Sequence, residues 1–116
     1  MSQDCIFCKI VAGEIPATRV YADDHVIAFN DISPVAPVHV LVIPRKHIAS
    51  VNEVSLQDST ILGHLFTAAQ QIARDRGIAE TGYRVLTNTG PHAGQAVFHL
   101  HFHVLGGKPL GGMVRV

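Results

Sequence analysis

The stretch VFHLHFHVL, residues 97–105, decides how the chain folds and what it can do. Its apolar residues alternate with three histidines, His99, His101 and His103. Because side chains alternate across a β-strand, we expect a strand over residues 97–105 with the histidines on one face. The other face, which carries Phe98, Leu100, Phe102 and Val104, is expected to pack in the core. One face of this strand is therefore predicted to pack in the core, and the other to carry functional side chains.

A lone histidine is more often an ordinary core or surface residue than a functional one. Three histidines at a period of two are different, because they would repel one another if protonated and need an anion or a metal to stabilise them. Neutral imidazoles at this spacing could hold a catalytic zinc ion with an open coordination position. Alternatively, one imidazole attacks phosphorus while its neighbours bind the phosphate oxygens. The residues alone leave both kinds of chemistry open.

The apolar pattern on either side of this stretch predicts five strands and two helices. The short helix covers residues 5–11, and the long one begins at a capping box formed by Ser55 and Asp58 and runs to Gly77. Strands on both sides of one long helix favour an α+β fold with an antiparallel sheet. The predicted strands cover residues 18–22, 25–30, 38–43, 83–89 and 97–105.

Length and charge narrow the class of protein. A chain of 116 residues suits one domain, and its 47% hydrophobic content excludes disorder and favours a subunit interface. Nine basic residues balance nine acidic ones, which argues against a nucleic-acid partner. The first residues lack a signal peptide, and no stretch is long enough to span a bilayer. We therefore expect a cytoplasmic protein that is not associated with a membrane.

Several separated segments together resemble the histidine triad (HIT) family. HLHFHVL at residues 99–105 resembles the family signature, and DISP at residues 31–34 followed by HVLVIP at residues 39–44 is similar to the nucleotide-binding half. The similarity continues through Asn88, through GQ at residues 94–95 and through LGG at residues 105–107. A histidine at position 103, where the uridylyltransferase relatives carry glutamine, points to the Hint branch.

The resemblance implies a single HIT domain over residues 1–116, with a five-stranded antiparallel sheet per subunit and a two-fold homodimer. It also implies hydrolysis of purine nucleoside 5'-phosphoramidates, which are amine conjugates of AMP or GMP, to the nucleoside monophosphate. The reaction would pass through a nucleotidyl-histidine intermediate and would need no cofactor for catalysis. The implied ligands are purine nucleotides.

The resemblance marks His101 as the nucleophile, with His99, His103 and His39 completing the catalytic set. Attack requires an unprotonated ring nitrogen, so the proton on the other nitrogen must be held by an acceptor such as a backbone carbonyl. His103 and His39 match family histidines that border the phosphate, where hydrogen bonds would stabilise its developing charge.

The resemblance also implies a set of substrate-binding residues. Asp31 would accept hydrogen bonds from the ribose hydroxyls, although an Asx turn before Ser33 is an equal explanation. Asn88 would lie near the nucleotide, although asparagine before Gly90 is also typical of a turn. Gly94 and Gln95 match the phosphate region, while Ala96 stands where many Hint-branch proteins carry a hydroxyl residue. The expected walls of the base pocket are Phe29 and Ile32 with Phe7, Ile10 and Ile15, residues that would otherwise be assigned to the core.

Cys5 and Cys8 have the spacing of zinc ligands, but one such pair is equally consistent with two buried thiols. Similarity to bacterial family members that bind structural zinc implies the ligand set Cys5, Cys8, His47 and His99. Two other functions stay open. One is a zinc-dependent hydrolase whose triad holds the metal, and the other is a purine-nucleotide-binding regulatory module with vestigial hydrolysis.

Overall fold

The two helices lie on opposite faces of one five-stranded antiparallel sheet in a computed structural model of the chain, which describes residues 4–114. The helices are α1 (Ile6–Val11) and α2 (Ser59–Asp75). The strands are β1 (Arg19–Ala22), β2 (Val26–Asn30), β3 (Val38–Pro44), β4 (Tyr83–Leu86) and β5 (Phe102–Gly106). Their order in the sheet is β1-β2-β3-β5-β4, and each neighbouring pair is antiparallel.

The central strand β3 is buried along its whole length because both of its faces are covered. Val42 faces α2 and packs in a cluster with Leu65 and Ile72 of that helix. Leu41, on the opposite face, packs in a second cluster with Phe7 of α1. His39 lies two residues before Leu41, so the alternation of side chains places it on the α1 face of the sheet.

The long helix starts later than its capping signal. Ser55 and Asp58 do form a capping box, in which the Ser55 backbone N–H donates to Asp58 Oδ2 at 3.0 Å. This box closes a 3₁₀ turn, Leu56–Asp58, and α2 follows from Ser59. Gly77, at a φ of +72°, follows the end of the helix as predicted. No helix within residues 4–114 has the length and apolar composition to cross a membrane.

The prediction of a strand over residues 97–105 is wrong in its first half, because β5 begins only at Phe102. The backbone bends at residues 97–99, and the Leu100 N–H donates to the carbonyl of Ile48 at 2.6 Å instead of to a neighbouring strand. The alternation therefore fails at Phe98, whose side chain is 56% exposed. Of the three histidines, only His103 lies in the strand.

The predicted strand over residues 83–89 is also too long, since β4 ends at Leu86. Leu86 pairs with His103, close to the start of β5, so the residues after Leu86 have almost no partner strand left. Thr87 instead donates its hydroxyl hydrogen bond to the carbonyl of His101 at 2.8 Å. This contact fastens the segment that precedes β5.

Candidate active site

A cleft of about 440 Å³ opens on the α1 face of the sheet. Its polar end is formed by Asp31, His101 and His103, and its other end is apolar. A pocket that combines an apolar wall with a few converging polar groups is the usual form of a small-molecule site. The predicted base-pocket residues all line it: Phe7, Ile10, Ile15, Phe29 and Ile32.

Some of these apolar residues are buried in the core, and one is exposed at the edge of the cleft. Phe7, Ile10 and Phe29 are less than 8% exposed and belong to the core on this face, so the alternative reading as core residues also holds for them. Ile32 is 97% exposed and lies at the rim of the cleft. A flat apolar ligand in the cleft would cover that side chain.

His101 has the tautomer that a nucleophile needs. Its Nδ1 lies 2.8 Å from the carbonyl oxygen of His99, so this nitrogen must carry the proton and donate it. The lone pair is then on Nε2, and the ring lines the cleft. The edge of the Phe7 ring packs against His101 with the centroids 5.2 Å apart, which limits rotation of the imidazole.

His39 and His103 form a hydrogen-bonded pair beside the nucleophile. The Val35 N–H donates to His39 Nδ1 at 3.2 Å, so the proton of a neutral His39 is on Nε2. That nitrogen lies 2.9 Å from His103 Nδ1 and 3.3 Å from Asp31 Oδ2. When it donates to His103 Nδ1, the proton of His103 is on Nε2, where it can donate to a ligand.

The pKa of His103 is lowered to about 4. The main cause is burial, which disfavours the charged ring; His101 and His39 add to the shift, and Asp31 opposes it. His103 is therefore neutral at pH 7, in agreement with a ring that accepts at Nδ1 and donates at Nε2.

This shift predicts a pH dependence of stability. The ordinary histidine pKa is 6.5, so between pH 6.5 and about 4 the unfolded chain binds more protons at this position than the folded one. Stability should therefore fall as the pH is lowered through this range. Calorimetric melting of His103→Gln at several pH values should give a flatter dependence than the original chain, whereas the exposed His92→Gln should not. An equally steep dependence in His103→Gln would show that other groups control it.

Asp31 forms the Asx turn that was one of the two explanations offered for it. Its Oδ1 accepts a hydrogen bond from the Ser33 N–H at 2.8 Å, which is the Asx turn. Its Oδ2 lies 3.3 Å from His39 Nε2, and the residue lines the cleft. The turn orients the carboxylate and leaves it acceptor capacity for a ligand hydroxyl.

The structure does not bring the ring of His99 into the cleft, contrary to its expected place on one face with His101 and His103. The backbone bend turns the ring into the interior, where it is fully buried beside Cys5, Cys8 and His47. Its carbonyl accepts a hydrogen bond from the His101 ring at 2.8 Å. Within residues 4–114 the ring nitrogens of His99, His101 and His103 do not form one metal-sized group, since His99 groups with the two cysteines and His103 with Asp31 and His39. The geometry therefore disfavours a metal held by all three triad histidines.

Three predicted substrate residues, Asn88, Gly94 and Gln95, are not among those that line the cleft. The Gln95 amide is fully engaged: its Nε2 donates to the carbonyls of Ala49 and Val97 at 2.9 and 3.1 Å, and its Oε1 accepts from the Gly90 N–H at 2.9 Å. Gln95 thus stabilises the loop between Gly90 and Val97, next to the site. Gly94 has a φ of +84°, which residues with a side chain rarely adopt. The backbone conformation and not a lack of space requires glycine here, because an added Cβ would meet no atom within 4 Å.

Cys5, Cys8, His47 and His99 come together in one cluster, as the resemblance implied. The sulfur-to-nitrogen distances of 3.2, 3.3 and 3.5 Å and the Nδ1-to-Nδ1 distance of 3.2 Å are short and similar. Four ligands around one zinc ion would be separated by about 3.6 Å for sulfur and nitrogen and about 3.3 Å for two nitrogens. The four side chains therefore fit a tetrahedral metal.

The outer contacts of the cluster also suit a metal. His99 Nε2 donates to the carbonyl of Pro44 at 2.8 Å, which leaves the lone pair of Nδ1 toward the cluster. Burial lowers the pKa of His99, while the hydrogen bond to Pro44 opposes the shift. Burial, together with neighbouring Cys5, raises the pKa of the Cys8 thiol to about 11, so the thiol needs a cation nearby to ionise.

Sequence reasoning missed two backbone groups of the site, the N–H of Val35 and the carbonyl of Pro44. Both set the tautomer of a histidine. A backbone group leaves no trace in the residue type, so the sequence carries no signal for either one.

Comparison with known proteins agrees with this fold and site. The family model of the HIT domain matches residues 12–110. The chain therefore belongs to the HIT domain family, as the histidine run and the nucleotide-binding half predicted.

Relatives cover nearly the whole chain. The purine nucleoside phosphoramidase of Escherichia coli (strain K12) is 52% identical over 114 residues, which are 98% of this chain and 96% of that protein. A HIT family hydrolase from Clostridium thermocellum superposes with a TM-score of 0.93 at 51% identity, covering 97% of this chain and 98% of that one. A histidine triad protein from Clostridium difficile gives 0.92 at 49% identity, with 96% of each chain covered. These likenesses confirm the five-stranded α+β fold.

Proposed function

We propose that the chain hydrolyses purine nucleoside 5'-phosphoramidates to the nucleoside monophosphate and the free amine, with His101 as the nucleophile. The observation that carries this proposal is the hydrogen bond from His101 Nδ1 to the His99 carbonyl at 2.8 Å, which leaves Nε2 free to attack. The E. coli relative, at 52% identity, is a purine nucleoside phosphoramidase. No cofactor takes part in the chemistry.

In the proposed complex, the purine occupies the apolar end of the cleft and Asp31 accepts hydrogen bonds from the ribose hydroxyls. The phosphate then lies against His101 and His103. The neutral Nε2–H of His103 donates to a phosphate oxygen and stabilises the charge that builds up during attack. His39 acts through His103, because its own Nε2–H holds the acceptor nitrogen of that ring.

The reaction proceeds in two displacements. His101 Nε2 attacks the phosphorus, the phosphorus–nitrogen bond breaks, and the amine leaves with a proton. Ala96 lines the cleft and offers only a methyl group, so this proton has to come from solvent or from a histidine. Water then attacks the nucleotidyl-histidine, which releases the monophosphate and restores the ring.

Incubation with adenosine 5'-phosphoramidate tests the proposal. Continuous release of AMP is expected, and rapid quenching followed by intact-mass measurement should detect a chain carrying one adenylyl group. A guanosine substrate measured in parallel gives the base preference. Tight binding of AMP without turnover would contradict the proposal and support the regulatory module.

The Cys5–Cys8–His47–His99 cluster is proposed to hold one structural zinc ion. Two thiolates and two imidazoles form a closed set with no position for water, so the ion would supply binding energy for the fold and no step of the reaction. Two observations support this proposal. The four ligand atoms have near-tetrahedral spacing, and the other ring nitrogen of His99, Nε2, donates a hydrogen bond to the Pro44 carbonyl.

A two-fold homodimer is proposed to form through the face of α2 and the outer edge of β4. Phe66 on α2 is 60% exposed, and its ring packs on Phe102 at 5.1 Å, next to the edge of the sheet. An exposed phenylalanine beside an open strand edge is typical of a subunit interface. Sedimentation should give a two-chain species that Phe66→Lys converts to monomers, whereas Thr60→Lys on the exposed start of α2 should not.

A further inference from the structure

The helix α1 belongs to the metal cluster and to the nucleotide cleft at once. Cys5 and Cys8 stand at one side of its first turn, with the Cys8 N–H donating to Cys5 Sγ at 3.3 Å. Phe7 and Ile10 line the cleft from the same six-residue helix. A helix this short has little stability of its own, so its position depends on what holds it. The cluster therefore fixes the position of α1, which forms one wall of the cleft.

His99 connects the same cluster to the nucleophile. Its ring lies among the cluster atoms, with Nδ1 3.3 Å from Cys5 Sγ and 3.2 Å from His47 Nδ1. Its carbonyl oxygen accepts a hydrogen bond from the Nδ1–H of His101 at 2.8 Å. A shift of the ring moves the same residue that sets the tautomer and orientation of the nucleophile.

Phe7 of α1 is in direct contact with two histidines of the triad. Its ring packs edge-on against His99 and His101, with centroid distances of 5.9 and 5.2 Å, and against Phe29 at 5.6 Å. Residues 47–49 also hold the triad segment in place. The Ile48 carbonyl accepts a hydrogen bond from the Leu100 N–H, and the Ala49 carbonyl accepts one from the Gln95 side chain. The metal ligand His47 begins this segment.

We propose that the Cys5–Cys8–His47–His99 cluster and the nucleotide cleft are energetically coupled, so that a metal in the cluster strengthens nucleotide binding and a nucleotide strengthens metal binding. Phe7 and His99 are the positioning residues that transmit the effect. The inference rests on the proposed nucleotide site and the proposed zinc site. It adds that the metal supports the site as well as the fold.

Equilibrium measurements on the zinc-loaded chain and the zinc-depleted chain test this coupling. AMP should bind the zinc-loaded form about tenfold more tightly, and saturating AMP should raise the zinc affinity, measured by competition with a chelator, by the same factor of about ten. Circular dichroism establishes that both forms are folded. If the depleted chain unfolds, the rate of zinc loss from the folded chain is compared with and without AMP, and a slower loss with AMP is expected.

A matched pair of variants assigns the route. Phe7→Leu should still bind zinc and AMP but should reduce the coupling factor to less than about threefold. Ile32→Ala removes apolar surface at the exposed rim of the cleft, outside the cluster that packs against α1, so it should weaken AMP binding and preserve the factor.

Each outcome has one meaning. Equal AMP affinities in the two folded forms, or an unchanged rate of zinc loss, would overturn the coupling and leave the proposed function intact. Failure of the chain to take up zinc would overturn it as well. Failure of the zinc-loaded chain to bind AMP would instead contradict the proposed function. A factor unchanged by Phe7→Leu would overturn the assignment of Phe7.

Discussion

Replacing His101 with alanine is expected to lower kcat/KM for adenosine 5'-phosphoramidate by at least about 10⁴-fold, because the bond-forming atom is lost. The affinity for AMP should stay within about threefold, since the interaction with phosphorus forms mainly in the transition state. Steady-state kinetics and calorimetric AMP titration measure the two effects. The adenylyl adduct should also disappear from the mass spectrum.

His92→Ala is the control for this variant, because His92 is an exposed histidine in the loop before the triad. It should retain the original rate. A His101→Ala rate within tenfold of the original would reject His101 as the nucleophile. If His103→Ala alone abolished the adduct, the two histidines would have exchanged roles.

Removal of one cluster ligand should have the largest effect on stability. His47→Asn is expected to reduce bound zinc from about one ion per chain to almost none, since a closed four-ligand site loses most of its affinity with one ligand. The melting temperature should fall by at least about 10 °C, because the free energy of metal binding is added to that of folding. Metal analysis and calorimetry measure both.

The matched control is His92→Asn, which makes the same change at an exposed position. It should keep the metal and the melting temperature. If the purified chain carries no metal and a chelator leaves its melting unchanged, the zinc site is rejected and the cysteines are two buried thiols.

Much of the architecture follows from local patterns. The run of β-branched residues in β3 and the helical spacing of Leu65, Ala69 and Ile72 in α2 are properties of short windows, and the structure confirms both elements. Local pattern alone assigns Phe29 and Ile10 to the core, where they do lie, and only the resemblance implied that they are also walls of a base pocket.

The boundaries of β5 and β4 could not be obtained in this way. A strand exists only where a neighbour supplies hydrogen bonds, and near residue 100 the partner of the backbone is Ile48, a loop residue. The alternation of histidines continues through this point, whereas the hydrogen bonding does not. The same bend moves His99 out of the cleft.

By itself, the sequence determined the α+β class through its periodicity, and its resemblance to the HIT family implied the residues of the site and the four candidate metal ligands. Only the tertiary structure decided which ring nitrogen of each histidine carries the proton. The carbonyl of His99, the N–H of Val35 and the carbonyl of Pro44 set the tautomers of His101, His39 and His99. These groups are identical in every residue type that carries them, so their roles depend on position in space alone.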